Sequence, residues 1–270
     1  MFTGFLCLLL ATGAANAQGN LLLMPRRVVF EGPKRYEELN LANTGQDTAR
    51  YLISLMHIRM KEDGGFEEIA QPDSGANFAD RFVRFFPHSV ELGPGESQVV
   101  KIQLTNIRQM SPGEYRSHIY FRAIPNEAPA GDTTATQDSG LSIRLIPIFG
   151  ISIPVIIRVG ESNTHVTISD LSLQQSEGGI PRLSASMHRS GNMSAYGDIS
   201  VVYTPENGKP ILAGSVKGIA IYTPLPVRRF RIDLDNKKDI NYHSGKLTVV
   251  YSTPEEKHPV TIAEAALTLH

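Results

Sequence analysis

The sequence predicts an all-β protein built of two β-sandwich domains, and three observations carry that expectation. Apolar and polar residues alternate in short runs, the period of a half-buried strand. Gly, Pro and Asn turn signals interrupt those runs roughly every 8–12 residues. No 3.6-residue apolar period lasts beyond about two turns. A chain of 270 residues is long enough for two domains of about 100–150 residues each.

Taken in order, Arg27-Val28-Val29-Phe30 leads into a Gly32-Pro33 turn. Tyr36 to Leu41 ends at Asn43-Thr44-Gly45, and Tyr51 to Met60 ends at Asp63-Gly64-Gly65. Phe82 to Leu92 reaches the turn Gly93-Pro94-Gly95 and returns as Val99 to Leu104; Tyr115 to Ile124 stops at Pro125. Asn126 to Gly140 has no large apolar residue and reads as a long loop. Val159 to Asn163 reads as a linker. Seven runs follow: Val166–Leu173, Leu183–Met187, Ile199–Tyr203, Gly214–Tyr222, Val227–Leu234, Leu247–Tyr251 and Val260–Leu269. The expected boundaries are residues 18–159 for the first domain and 164–270 for the second.

Residues 1–17 have the pattern of a secretory signal. Phe5 to Ala11 is a short apolar core, and Ala15-Asn16-Ala17 is the small-x-small pattern that precedes a cut, here after Ala17. The run is too short to span a bilayer. Export is therefore expected. The single cysteine, Cys7, lies in that segment, so the mature chain has neither disulfide nor thiol chemistry.

Lys and Arg number 26 against 27 Asp and Glu. Such a balance gives no field for nucleic acid or an anionic membrane, and neither partner is expected. No phosphate loop, dinucleotide fingerprint or nucleophile elbow occurs. The eight His are scattered without metal-ligand spacing. His57, His88 and His118 are expected on strands facing solvent or at turns. Glu67-Glu68 and Glu255-Glu256 are adjacent, so on a strand they point to opposite faces and make poor acid–base partners. No catalytic residue, metal or cofactor is expected.

The most unusual segment is Leu141 to Arg158. Leu141, Ile143, Leu145, Pro147, Phe149, Ile151, Ile153, Val155 and Ile157 place an apolar side chain, or proline, at every odd position. An unbroken strand of that length would extend about 55 Å, against about 17–20 Å for an ordinary one. One sandwich cannot bury it all. Pro147 and Pro154 lack the ladder donor, so the strand is expected at an edge or bent.

Four blocks resemble the periplasmic pilus-assembly chaperones, the PapD-like family of two immunoglobulin-like domains. They are Arg27-Val28-Val29-Phe30-Glu31-Gly32, the stretch Pro87 to Leu104, Gly113 to Pro125 (GEYRSHIYFRAIP) and Ile151 to Arg158. The resemblance implies a chaperone that lends an edge strand to an incomplete pilin-like subunit and delivers it to an outer-membrane usher. Leu141, Ile143, Leu145, Pro147 and Phe149 would enter the subunit groove, while Ile151 to Ile157 stay in the chaperone's own core. Arg27 would anchor the subunit's terminal carboxylate. The family's second anchor, a lysine, corresponds to Pro154, and Arg26, Arg116 or Arg144 could replace it. Glu114 and Arg158 would form an ion pair at the domain junction, with a third member near Asn241. Leu21 to Met24 is expected to extend the first strand beside the lent one. The strand pattern alone equally suits an exported immunoglobulin-like structural or adhesive module; a hydrolase on a β-sandwich would need carboxylates or His clustered in one cleft.

Overall fold

The computed structural model describes residues 21–125 and 148–270, apart from 177, 238–239 and 255–256. Residues 1–17, the expected signal segment, and Leu141, Ile143, Leu145 and Pro147 lie outside the described residues.

The first domain contains β1 (Leu21–Met24), β2 (Val28–Phe30), β3 (Tyr36–Asn43), β4 (Ala49–Met56), β5 (Ile58–Met60), β6 (Phe66–Glu68), β7 (Val83–Phe86), β8 (Ser89–Leu92), β9 (Ser97–Leu104), β10 (Gly113–Ile124) and β11 (Gly150–Val159). One sheet has the order β1-β3-β9-β7 and the facing sheet β2-β11-β10-β4-β8. Alternation decides which side chains meet between them. Leu39, Leu41, Val100 and Ile102 from the first sheet bury against Ile119, Phe121 and Val155 from the second.

The second domain contains β12 (His165–Gln175), β13 (Pro181–Ser190), β14 (Ala195–Thr204), β15 (Ile211–Ile221), β16 (Val227–Asp233), β17 (Gly245–Ser252) and β18 (Thr261–Leu269). Its sheets are β12-β13-β16 and β15-β14-β17-β18. Leu183 and Met187 meet Val201, Leu247, Val249 and Tyr251 in a separate core. The protein is thus two immunoglobulin-like β-sandwiches, and the seven runs read in the second half each coincide with one strand.

Three runs of the first half differ from their reading. Tyr51 to Met60 breaks at His57, because β5 leaves the sheet and pairs with β6 as a separate hairpin. Phe82 to Leu92 breaks at Pro87: β7 pairs with β9, whereas β8 pairs with β4 in the other sheet. Proline has no N–H for a ladder, so a strand that crosses between sheets does so there. Leu21 to Met24 does not run on into β2. Pro25 and Arg26 break the strand, and β1 pairs with β3 in the sheet opposite β11. Leu21 and Leu23 enter the core, and Leu22 and Met24 stay exposed.

Candidate functional site: the cleft between the domains

Glu114, Arg116 and His118 of β10 and Ile156 and Arg158 of β11 alternate with the residues of the first core and meet side chains or backbone of the second domain. The antiparallel register places Glu114 opposite Arg158, Arg116 opposite Ile156 and His118 opposite Pro154. The parallel pairing of β2 with β11 sets Val28 beside Val155, which brings Arg27 alongside Pro154. One sheet face therefore presents Arg27, Pro154, His118 and Arg116 side by side. The second domain closes over it through a small apolar cluster of Met60, Ile156, Ala220 and Tyr222. Ile156 is an even position in the long alternating segment. It is apolar because a second domain, not water, covers that face.

Arg27 lies with its guanidinium carbon 4.1 Å from the centre of the Tyr196 ring and 5.9 Å from that of Tyr222. Arg116 lies 4.3 Å from the Tyr222 ring, and its Nη2 donates to the Thr223 carbonyl at 3.2 Å. Tyr222 thus sits between two cations. Stacking uses the flat face of a guanidinium and leaves its N–H edge available. Arg27 Nη1 and Arg116 Nε and Nη1 are buried and have no hydrogen-bond partner within the protein. Burial lowers both guanidinium pKa values first; the field of Tyr222 and Glu114 opposes it. Leaving a buried donor unsatisfied costs about 1–3 kcal/mol, more when charged.

His118 overturns its sequence reading. It is 3% exposed rather than solvent-facing, packed edge-on against Tyr222 at 6.4 Å. Its Nδ1 is also buried without a partner. Burial, then the fields of Arg116 and His57, pushes its pKa down to about 3. His57 is half-buried, stacked on Phe78 at 3.7 Å. His88 is exposed.

Glu114 and Arg158 are in contact. Arg158 Nε is 3.4 Å from Glu114 Oε2, and the Glu114 side chain is 0% exposed. The carboxylate also accepts from the Ser194 backbone N–H at 2.9 Å, from the Ser194 hydroxyl, and from the Thr223 hydroxyl at 3.4 Å. Arg158 Nη2 donates to the Ser194 carbonyl at 2.9 Å. Asn241, the expected third member, instead bonds within its own turn to Ser244 and His243. Two hydroxyls and a backbone N–H of the second domain take that place. Sequence reading sought a charge there and had no signal for neutral donors.

The two ends of β11 differ. Ile153, Val155 and Ile157 belong to the first core and Ile151 packs against it, as the family resemblance implied. Phe149 is 49% exposed and Ile148 is exposed beside it. On the side of β11 away from β10, β2 pairs only with Val155 to Ile157. Among the described residues, no strand pairs with Gly150 to Pro154 on that side.

Two groups have the composition of a hydrolytic triad without its arrangement. Ser117 Oγ is 3.2 Å from His57 Nδ1, and His57 Nε2 is 3.9 Å from Asp80. Ser117, however, is 1% exposed, and its oxygen accepts from the Ala79 N–H at 2.9 Å. No substrate carbonyl can reach it; the contact ties the loop before β7 to β10. Ser169 Oγ donates to Asp170 at 2.9 Å and lies 2.7 Å from His188 Nε2. Its one proton is engaged by the carboxylate, so His188 must donate and cannot act as base. No three His, Cys, Asp or Glu side chains among the described residues group as a metal would require. No helix among them is long and apolar enough to cross a membrane.

Solved structures similar to this chain were found over nearly its whole length. The CsuC–CsuE chaperone–tip adhesion subunit pre-assembly complex of Acinetobacter baumannii matches at 14% identity and a TM-score of 0.46, covering 91% of this chain and 99% of that one. The CupB2 chaperone of Pseudomonas aeruginosa matches at 11% and 0.43, covering 91% and 98%. The SafB chaperone in complex with the Salmonella enterica SafA pilin matches at 14% and 0.41, covering 92% and 96%. The likeness is to fimbrial chaperones. At these identities it is a likeness of fold. No family profile matches the sequence, and no curated protein does.

Proposed function

We propose that this chain is a divergent PapD-like periplasmic chaperone, not an enzyme, that holds a pilin-like subunit by lending it the free edge of β11 and the residues before it. The observation that carries this reading is the half-paired β11. Its later half is built into the first core and covered by β2, while Gly150 to Pro154 offer unpaired backbone groups on an open edge. Such an edge beside exposed Ile148 and Phe149 is an aggregation hazard unless something pairs with it. Strand addition by a partner satisfies the backbone, and alternating side chains fill its groove. Phe149, with Leu141, Ile143, Leu145 and Pro147 upstream, supplies that alternation. Four large side chains give about 6–12 kcal/mol gross, from which the ordering of the segment is subtracted.

The site residues follow from the same reading. Arg27 faces the partner's terminal carboxylate, Glu114 and Arg158 hold the domains at their angle, and a cleaved signal takes the chain to the periplasm. Delivery to an outer-membrane usher completes the role, with the domain-one edge occupied until release.

Co-expression with a pilin-like protein encoded beside this chain tests the reading. The subunit should copurify with the wild-type chain and be lost from Leu145→Glu and Phe149→Glu. A complex that survives both substitutions rules out strand donation.

A further inference from the structure

We infer that a slot in the side of the second sandwich, between β15 and β16, docks an extended acidic segment of a partner polypeptide, with one carboxylate set between two apolar residues. The slot is separate from the edge of β11 and does not depend on strand lending.

The backbone of β16 is the first support. This strand is the last of its sheet. The Pro226 carbonyl accepts from the Arg189 N–H, and the Leu234 N–H donates to the Pro181 carbonyl. By antiparallel alternation the even residues between them bond toward β13, and the odd ones turn outward. Two of the outward N–H groups are engaged: Arg229 donates to the Glu62 carbonyl and Asp235 to the Ala213 carbonyl, each at 2.7 Å. Arg231 and Asp233 lie between those ties. Among the described residues, no strand pairs with them on that side. Such an edge selects a polypeptide, because an added strand answers its donors and acceptors in turn.

A bulge in β15 keeps the slot open. The register of β15 with β14 shifts between Gly197 and Ile199, where Lys217 and Gly218 stand against Asp198 alone. Gly218 takes a φ of 74° less one degree, 73°, and its N–H is held by the Asp198 carboxylate at 2.8 Å. A bulge bends its strand, and beyond Ala213 β15 parts from β16. The result is a cavity of about 610 Å³ walled by Ile199, Val216, Ile219 and Ile232, with Lys61 to Asp63 of the first domain at one end. That volume lies within the usual range of ligand sites. Val216 and Ile219 are half-buried, so apolar surface faces the opening.

Charge fixes the chemistry of the occupant, and the protein's own hairpin shows the contact one rung away. Glu62 gives its carbonyl to the Arg229 N–H and its carboxylate to the Arg229 guanidinium at 3.2 Å. Lys61 is likewise paired, with Asp63 at 3.6 Å. Arg231, two residues along, has the same outward backbone, and no carboxylate among the described residues pairs with it. Arg228 bonds the Ala220 carbonyl, and its Nε is buried without a partner. Two guanidiniums at the slot thus lack a carboxylate. A strand laid beside Arg231 repeats the Glu62 contact. Its acid stands across from Arg231 on the outer face, and the residues before and after the acid point to the apolar walls. Since the hairpin forms one end and the second sandwich the rest, an occupant touches both domains.

The test uses the full chain, labelled with 15N, and three capped pentapeptides: acetyl-Thr-Val-Glu-Val-Thr-amide and the same sequence with Gln or Lys at its centre. The Glu peptide should shift the amide signals of Val216, Ile219 and Arg231, with a Kd at least tenfold below that of the Gln peptide. Arg231 is exposed, so Arg231→Glu should fold with an unchanged circular dichroism spectrum. It should weaken the Glu peptide at least tenfold and bind the Lys peptide in preference. Equal binding of the Glu and Gln peptides overturns the inference, as does an Arg231→Glu chain that keeps the wild-type preference. Shifts at Ile151 to Ile153 in place of Arg231 put the peptide on the open edge of β11 and also overturn it, as does the absence of any shift. Copurification with a pilin-like protein reads strand lending alone, so either proposal can fail while the other stands.

Discussion

Single side chains at the junction carry more than their share of the protein's stability. Glu114 is a fully buried carboxylate with an arginine and three hydrogen-bond donors on it. Glu114→Ala takes the acceptor from the Ser194 N–H and from Arg158 Nε, and unfolding in urea should show a loss of about 3–5 kcal/mol. His118 sets a pH dependence. Its folded pKa of about 3 lies below the ordinary value of 6.5. The unfolded chain therefore binds the proton first, and stability falls as pH drops from about 6.5 toward 3. The His118 contribution is complete above that window and approaches a slope of about 1.4 kcal/mol per pH unit within it. Urea titrations at successive pH values should show that slope in the wild-type chain and a flatter one in His118→Phe, where no proton can be taken up.

Along β11 the division between lent and kept residues is measurable. Ile153 is buried in the first core; Ile153→Ala should cost about 2–5 kcal/mol. Phe149 is largely exposed in the free chain, so Phe149→Ala should change stability by less than about 0.5 kcal/mol in the same assay. A comparable loss at both positions would mean that the strand is buried throughout. The sequence displayed this element clearly, because a period-2 apolar face over so many residues exceeds what one sandwich can bury. It showed strands in the second half equally well, where each run is bounded by its own turns. The strand breaks at His57 and Pro87 were not legible, since a strand that changes partners keeps its alternation. Arg27, Glu114 and Arg158 were found through their likeness to known blocks. Arg116 was named there only as one of three possible replacements for a lysine, and His118 was expected at the surface, because their shared neighbour Tyr222 comes from the other domain and nothing in local spacing announces it.

At the scale of the molecule, two sandwiches with separate cores are joined by a small apolar cluster, the Glu114 network and the β5–β6 hairpin. Glu62, beyond β5, accepts a backbone hydrogen bond from Arg229 of β16 at 2.7 Å. Tyr222 is central to this junction, lying in the apolar cluster and between two arginines. Tyr222→Ala should loosen the docking without unfolding either sandwich. Small-angle scattering should then report a larger radius of gyration, while the far-ultraviolet circular dichroism stays unchanged; an unchanged radius would place the rigidity in the hairpin instead. The pairing of Glu114 with Arg158 has one more effect, at the far end of the same strand. A one-residue slip of β11 along β10 would turn every side chain to the opposite face. Arg158 pairs with Glu114, which is locked to the second domain, and that contact fixes the phase of the strand. The junction ion pair therefore acts as an index mark, about 25–30 Å from Gly150, that dictates which side of the molecule Phe149 and the residues before it will show to anything that docks there.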